Sequence, residues 1–183
     1  MKQLYEIEHR SMFGVEKFNE LKKFLNENAV DLGEDNKDVY FFIMENKLLK
    51  VVDNQSADTA EIVLKMNKIG SGSNFLEKTI LIDRNEVDTY ANFFKDLGVT
   101  DNIMHSYQER HNYQYNGVTL SLKYSEHWQH HLELEVEVDD LNKKRDAEKQ
   151  IFGVAKELSI SIMSDEELKK FTSEKERENA SKN

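Results

Sequence analysis

Two short stretches of this chain place carboxylates at every second residue. In Tyr5-Glu6-Ile7-Glu8-His9-Arg10, the residues Glu6, Glu8 and Arg10 alternate with Tyr5, Ile7 and His9. In Leu132-Glu133-Leu134-Glu135-Val136-Glu137-Val138, three glutamates alternate with Leu and Val. Period two is the signature of a strand, so each charged set shares one face, and the Leu and Val face must be the core side. Parallel carboxylates repel, and each has a raised pKa unless a cation neutralises the group. Hard divalent cations such as Mg²⁺ accept such oxygen ligands, commonly a few carboxylates plus substrate phosphates. A solvated strand face is the plainer meaning of alternating Glu. Two such strands at opposite ends of one chain tip the reading toward a metal.

A second set of residues carries the opposite charge. Lys50, Lys65 and Arg110, with Lys78 or Lys123, stand inside or beside apolar alternation and outside the helical surfaces. Buried cations are rare unless paired, so each invites an anionic partner. Arg grips phosphate oxygens bidentately and Lys acts as a point charge. Carboxylates on one wall and cations on another would bind a metal–polyphosphate complex; for any single cation, a structural ion pair is the alternative. His127, His130 and His131 surround Trp128. Imidazoles suit Zn²⁺, Cu²⁺ or Ni²⁺, but without supporting ligand spacing this cluster reads as a surface loop. Gly70-Ser71-Gly72 lacks the Lys-Ser/Thr and helix of a phosphate-binding loop, and no serine sits in a nucleophile-like turn.

The elements that must position these residues follow from periodicity. Strands are predicted over 4–10, 39–44, 48–52, 61–66, 75–82, 103–115, 118–124 and 132–138. Asn116-Gly117 marks a tight hairpin between two of them, while Asp31 to Asn36 reads as a loop and Gly70 to Asn74 as a flexible connection. Helices are predicted from Val15 to Asn28, from an Asp83/Glu86 capping box to a Gly98 cap, and from Leu141 to Leu158. Their apolar stripes are Val15, Phe18, Leu21 and Leu25; Val87, Tyr90, Phe94 and Leu97; and Leu141, Ile151, Val154 and Leu158. Ser164 and Glu167 open a terminal helix that fades after Ser173. The expected fold is α+β: a closed eight-stranded antiparallel β-barrel, a tunnel with a wet interior, and flanking helices. Residues 1–163 would form one domain, and 164–183 a charged helix and tail, partly disordered.

Composition excludes several classes. The 183 residues carry 25 Lys and Arg against 35 Asp and Glu, a net charge of −10, which argues against a nucleic-acid partner. With no cysteine there is no disulfide framework and no thiolate chemistry. Met1 to Arg10 is charged where a signal peptide needs an apolar stretch, and no apolar run approaches the roughly 20 residues of a membrane helix. The expectation is a soluble cytoplasmic protein without a membrane partner; a dimer is compatible with the sequence.

The order of these segments resembles the CYTH superfamily, the triphosphate tunnel metalloenzymes. They include class IV adenylyl cyclases, thiamine triphosphatases and inorganic triphosphatases. Glu6-Ile7-Glu8-His9-Arg10 is similar to the family's opening Glu-x-Glu-x-Lys, and Asp38-Val39-Tyr40-Phe41 to its Asp-x-Tyr-Phe strand. Leu49-Lys50 stands where the family has Leu-Arg, Ile62-Val63-Leu64-Lys65 resembles its Leu-Thr-x-Lys strand, and Glu77 matches an acidic position on the next strand. Arg110-His111-Asn112-Tyr113 is similar to its Arg-x-x-Tyr, and Leu132-Glu133-Leu134-Glu135 to its closing Glu-x-Glu.

The resemblance implies one or two Mg²⁺ or Mn²⁺ ions held by Glu6, Glu8, Glu77, Glu133 and Glu135. It implies a triphosphate held by Arg10, Lys50, Lys65, Arg110 and Lys123, and catalytic positions at Glu6, Glu8 and Arg10. The substrate would be inorganic triphosphate, ATP or thiamine triphosphate, hydrolysed in the tunnel. A class IV cyclase making cyclic AMP and pyrophosphate, a catalytically weak polyphosphate-binding module and a ligand-free acidic scaffold are the alternatives. Three departures stand out. Arg10 replaces the signature lysine and cannot act as a proton-transfer base; Val52 stands where a second arginine is common; Lys123 occupies a position that often carries Asp.

Overall fold

The computed structural model describes residues 4–66 and 73–180. In chain order the elements are β1 (Tyr5–Met12), α1 (Val15–Asn28), β2 (Val30–Glu34), β3 (Lys37–Ile43), β4 (Leu48–Asn54), β5 (Thr59–Lys65) and β6 (Asn74–Phe75). They continue with β7 (Glu77–Ile82), α2 (Val87–Asp96), β8 (Ile103–Tyr115), β9 (Val118–Ser125), β10 (His131–Val138), α3 (Lys144–Glu157) and α4 (Asp165–Ala180). Single 3-10 turns at Arg84–Glu86 and Leu141–Lys143 precede α2 and α3. The fold is α+β, and its strand pairings are antiparallel. Setting aside the two-residue β6 and the off-path β2, the expected eight strands are present. The described order starts at β6 and ends at β7, so it is open and shows no closed ring.

The chain divides into two compact units. The first comprises Met1–Glu34, Ser73–Phe75 and Glu109–Ser164. Its strands run in the order β6-β1-β10-β9-β8, with β2 paired to β8 over His111–Gln114. The alternation read from sequence sends Ile7, Leu132, Leu134, Leu120 and Leu122 to one face, where they are buried against Leu21 and Leu25 of α1 and Ile151 and Val154 of α3. Burial of that face fixes the register, because a one-residue slip would turn every core side chain outward. The opposite face of β1, β10 and β9 therefore receives all the charged residues.

The second unit comprises Asp35–Gly72, Leu76–Gln108 and Asp165–Asn183, with strand order β8-β3-β4-β5-β7. Phe42, Val51, Ala60 and Ile62 are buried against Val87 and Ala91 of α2. Phe41, Lys50, Val63 and Thr79 line up across β3, β4, β5 and β7 on the other face, as do Ile43, Leu48, Lys65 and Glu77.

Turn chemistry explains the connections. Asn116 and Gly117 both take positive φ, 49° and 75°, which a two-residue hairpin with strand-matched twist requires. Gly98, at φ 65°, ends α2: its N–H donates to the Lys95 carbonyl while the Val99 N–H reaches Phe94, the paired bonds of a left-handed helix cap.

Several expectations are corrected. Residues 31–34 belong to β2 and are not loop; Val30 and Leu32 are exposed, so this strand has no buried face to produce a readable pattern. Asp83 precedes a 3-10 turn and makes no side-chain cap bond. Val15, Leu97 and Leu141 are exposed, each at the end of its apolar stripe where the helix leaves the core. The terminal helix continues past Ser173 to Ala180. Gly70-Ser71-Gly72 lies outside the described residues.

Because Leu134 is fully buried between β10's neighbours and the helices, Leu134→Ala should cost about 3 kcal/mol of stability, within the usual range of about 2–5 for such cavities. Urea unfolding followed by circular dichroism measures it, and a loss below about 1 kcal/mol would contradict this placement.

Candidate active site

The polar face of the first unit is organised by cross-strand register. On β1 and β10, Arg10 lies opposite Glu133, Glu8 opposite Glu135, and Glu6 opposite Glu137. On β9, Ser121 lies opposite Glu133 and Lys123 opposite His131. Arg10 Nε donates to Glu133 Oε1 at 3.1 Å, its Nη2 forms an ion pair with Glu8, and Lys123 Nζ donates diagonally to Glu133 Oε2. Glu8, Arg10 and Lys123 are buried, with 4%, 4% and 6% of their surface exposed, so water does little to solvate their charges. Two carboxylates and two cations leave this cluster formally neutral, and the pairing is what makes its burial tolerable.

The electrostatics follow from that arrangement. Burial alone would raise the Glu133 carboxyl, but Lys123, Arg10 and Arg110 together hold it well below the ordinary 4.5. Burial, aided by Arg110, lowers the Lys123 ammonium to about 7 against the pull of Glu133. Burial also opposes the charge on Arg10, yet Glu8 and Glu133 outweigh it and raise its pKa. Arg110, half-buried on β8, donates from Nε to Asn112 Oδ1 at 2.8 Å.

At the other end of the same face, Glu6, Glu135 and Glu137 each bring one carboxylate oxygen within 4.8 Å of the others. Glu6 and Glu135 are half-buried and Glu137 is exposed. Sequence reasoning placed Glu137 on this face without assigning it a role; its signal was the third beat of the Glu alternation. In the second unit, Lys65 is 7% exposed and its Nζ lies 2.5 Å from Glu77 Oε1, while Lys50 is half-buried on β4. The structure thus brings Glu8, Arg10, Lys123 and Glu133 together, groups Glu6 with Glu135, and pairs Glu77 with Lys65.

A family model of the CYTH domain matches residues 4–167. The chain belongs to the CYTH family. A conserved hypothetical protein of Pyrococcus furiosus shares the fold at 23% identity and a TM-score of 0.68, over 85% of this chain and 91% of its own. A protein of Vibrio parahaemolyticus described as a candidate adenylate cyclase matches at 15% identity and a TM-score of 0.65, covering 94% and 99%. A Hippeastrum protein, described as a candidate adenylyl cyclase that reveals a dominant triphosphatase activity, matches at 16% identity and a TM-score of 0.57, covering 87% and 89%. No curated protein matches the chain.

CYTH domains are generally dependent on divalent metals, and the donors in this one fit such an ion: Glu6, Glu135 and Glu137 offer three hard oxygen ligands in one place. Glu8 and Glu133 face cations of the protein itself. The histidine reading is corrected. His131 is 2% exposed on β10, on the face of Glu133, and burial lowers its pKa to about 4, so the ring is neutral at ordinary pH. Trp128 lies over the Arg10 guanidinium, 5.5 Å from Cζ to the ring centroid. Sequence treated both as loop surface because contiguous His and Trp carry no period, and only the β9–β10 turn reveals which way they face. Among the described residues, no helix is long and apolar enough to cross a membrane.

Glu133→Gln should remove the shared counter-charge of two buried cations and cost about 3–5 kcal/mol at pH 7. Since the folded carboxyl titrates well below 4.5, its contribution is complete above that pH and is lost as pH falls through the lower, folded value. Urea unfolding from pH 7 to pH 3 should therefore show a flatter acid limb in Glu133→Gln than in the wild type; parallel limbs would contradict the pairing.

Proposed function

We propose that this CYTH domain is an enzyme that hydrolyses a triphosphate, inorganic or organic, with Mg²⁺ or Mn²⁺. The observation that carries the reading is that one sheet face holds the salt-linked Arg10 and Lys123, paired with Glu8 and Glu133, and beside them three converging carboxylates. Arg10, Arg110 and Lys123 would take the anionic phosphate oxygens, Arg as a planar fork and Lys as a point charge. Lys50 and Lys65 are proposed phosphate contacts as well. Glu133 and Glu8 keep Arg10 and Lys123 in place before substrate arrives, which supports catalysis by positioning and charge stabilisation. Glu6, Glu135 and Glu137 would hold the ion. When bound, the ion supplies charge neutralisation and a more acidic attacking water.

Arg10 stays protonated at any working pH, so it binds and orients without taking up a proton. Closure of the strands into an eight-stranded tunnel belongs to the same proposal, as do a soluble, cytoplasmic location and Glu77 as a metal neighbour. The likeness to the Vibrio candidate adenylate cyclase and to the Hippeastrum protein with its dominant triphosphatase activity supports a triphosphate substrate, and the Hippeastrum protein's activity favours hydrolysis over cyclisation.

Phosphate release from inorganic triphosphate, ATP and thiamine triphosphate, with cyclic AMP assayed in the same tubes, tests this. Metal-dependent phosphate release is expected, reduced about 100-fold or more in Glu6→Gln and Glu137→Gln. Cyclic AMP without free phosphate would make the protein a cyclase, and binding without turnover would make it a binding module; either result contradicts the hydrolase reading.

A further inference from the structure

The β9–β10 turn is held by hydrogen bonds beyond those of strand pairing. Trp128 N–H donates to Ser125 Oγ at 3.2 Å, and Ser125 is 2% exposed. Gln129 takes a positive φ of 57°, its N–H bonds the Ser125 carbonyl at 2.7 Å, and its side-chain amide reaches the Glu126 carbonyl at 2.6 Å. His131 Nδ1 contacts the Gln129 carbonyl at 2.9 Å, and its ring stands 5.5 Å from the Trp128 ring. These bonds fix the indole over the guanidinium of Arg10.

The geometry matters because of what else holds Arg10. Glu133 and Glu8 take its edge through Nε and Nη2. In-plane partners alone leave a guanidinium free to tilt about those bonds. An aromatic face restrains the plane without using a donor, since it attracts the cation through the ring quadrupole. The His131 ring beside the indole is neutral at ordinary pH, so it adds no repulsion to the cation.

We propose that Trp128 is a positioning residue for triphosphate binding: its ring holds the Arg10 guanidinium in the plane that presents it to a phosphate oxygen. This rests on the reading of Arg10 as a phosphate contact. Trp128 is the single tryptophan of the chain, so its emission reports this one place.

The test uses the full chain with Mg²⁺ and imidotriphosphate, whose P–N–P bridges resist hydrolysis. Calorimetry on Trp128→Leu should show Kd raised about tenfold, and Trp128→Phe, which keeps an aromatic face, should stay within about threefold of wild type. Wild-type emission should change along the same titration curve as the heat. An unchanged Kd in Trp128→Leu, or a Trp128→Phe as weak as Trp128→Leu, overturns the proposal. So does wild-type emission that stays constant at saturation, a readout that survives even if the Leu variant does not fold. Absence of binding by the wild-type chain overturns both this role and the triphosphate reading; binding with an indifferent Trp128→Leu overturns this role alone.

Discussion

The ion pair between Arg10 and Glu133 joins the first strand of the chain to its tenth, and the polar face of the first unit is arranged around it. Both groups are directly opposite in register, and Arg10 is nearly sealed from water. A guanidinium in that position needs a carboxylate, because an unpaired buried charge costs several kcal/mol. Glu133 meets that need and also holds Lys123 on the next strand. One carboxylate therefore sets the position of two cations, and a third, Arg110, is close enough to depress its pKa. The register itself is set from behind, where Ile7, Leu134 and Leu120 are packed without exposure. The core decides which residues meet, and charge decides which of those meetings become a site.

The register places chemically similar glutamates in different company. Glu8 pairs with Arg10, and Glu133 with both Arg10 and Lys123. Glu6, Glu135 and Glu137, one or two pleats along, converge on one another. On the proposed reading, a divalent ion held by these three carboxylates would lie beside the cations that meet the phosphate. That adjacency is what a metal–triphosphate complex requires. In the second unit the Lys65–Glu77 pair repeats the motif on a smaller scale, a buried ammonium met by a carboxylate on the adjoining strand.

Much of this was legible in the sequence because strands report their faces through a period of two. The alternation in 5–10 and 132–138 placed every charged residue on the correct face, and Asn116-Gly117 located the central hairpin. Which residues each glutamate meets was not legible, since it depends on the register between β1 and β10, which local pattern does not specify. The same holds for Glu133: as one of three equal Glu residues, nothing in its neighbours along the chain distinguishes it. β2 escaped notice for want of a buried face, and His131 and Trp128 for want of a period. The closing helix bonds at Gly98 were readable because glycine at that position has a local cause, whereas the Asp83 cap failed because a 3-10 turn intervenes before α2.

The central proposal is that Glu6, Glu135 and Glu137 hold the ion while Glu133 stays with Arg10 and Lys123. Anomalous diffraction at the manganese edge, from crystals grown with Mn²⁺, tests it most directly. The account predicts a manganese peak bound by carboxylate oxygens of Glu6, Glu135 and Glu137, with Glu133 still bonded to Arg10 and Lys123. A peak held by Glu8 and Glu133, with Arg10 and Lys123 displaced from them, would contradict it.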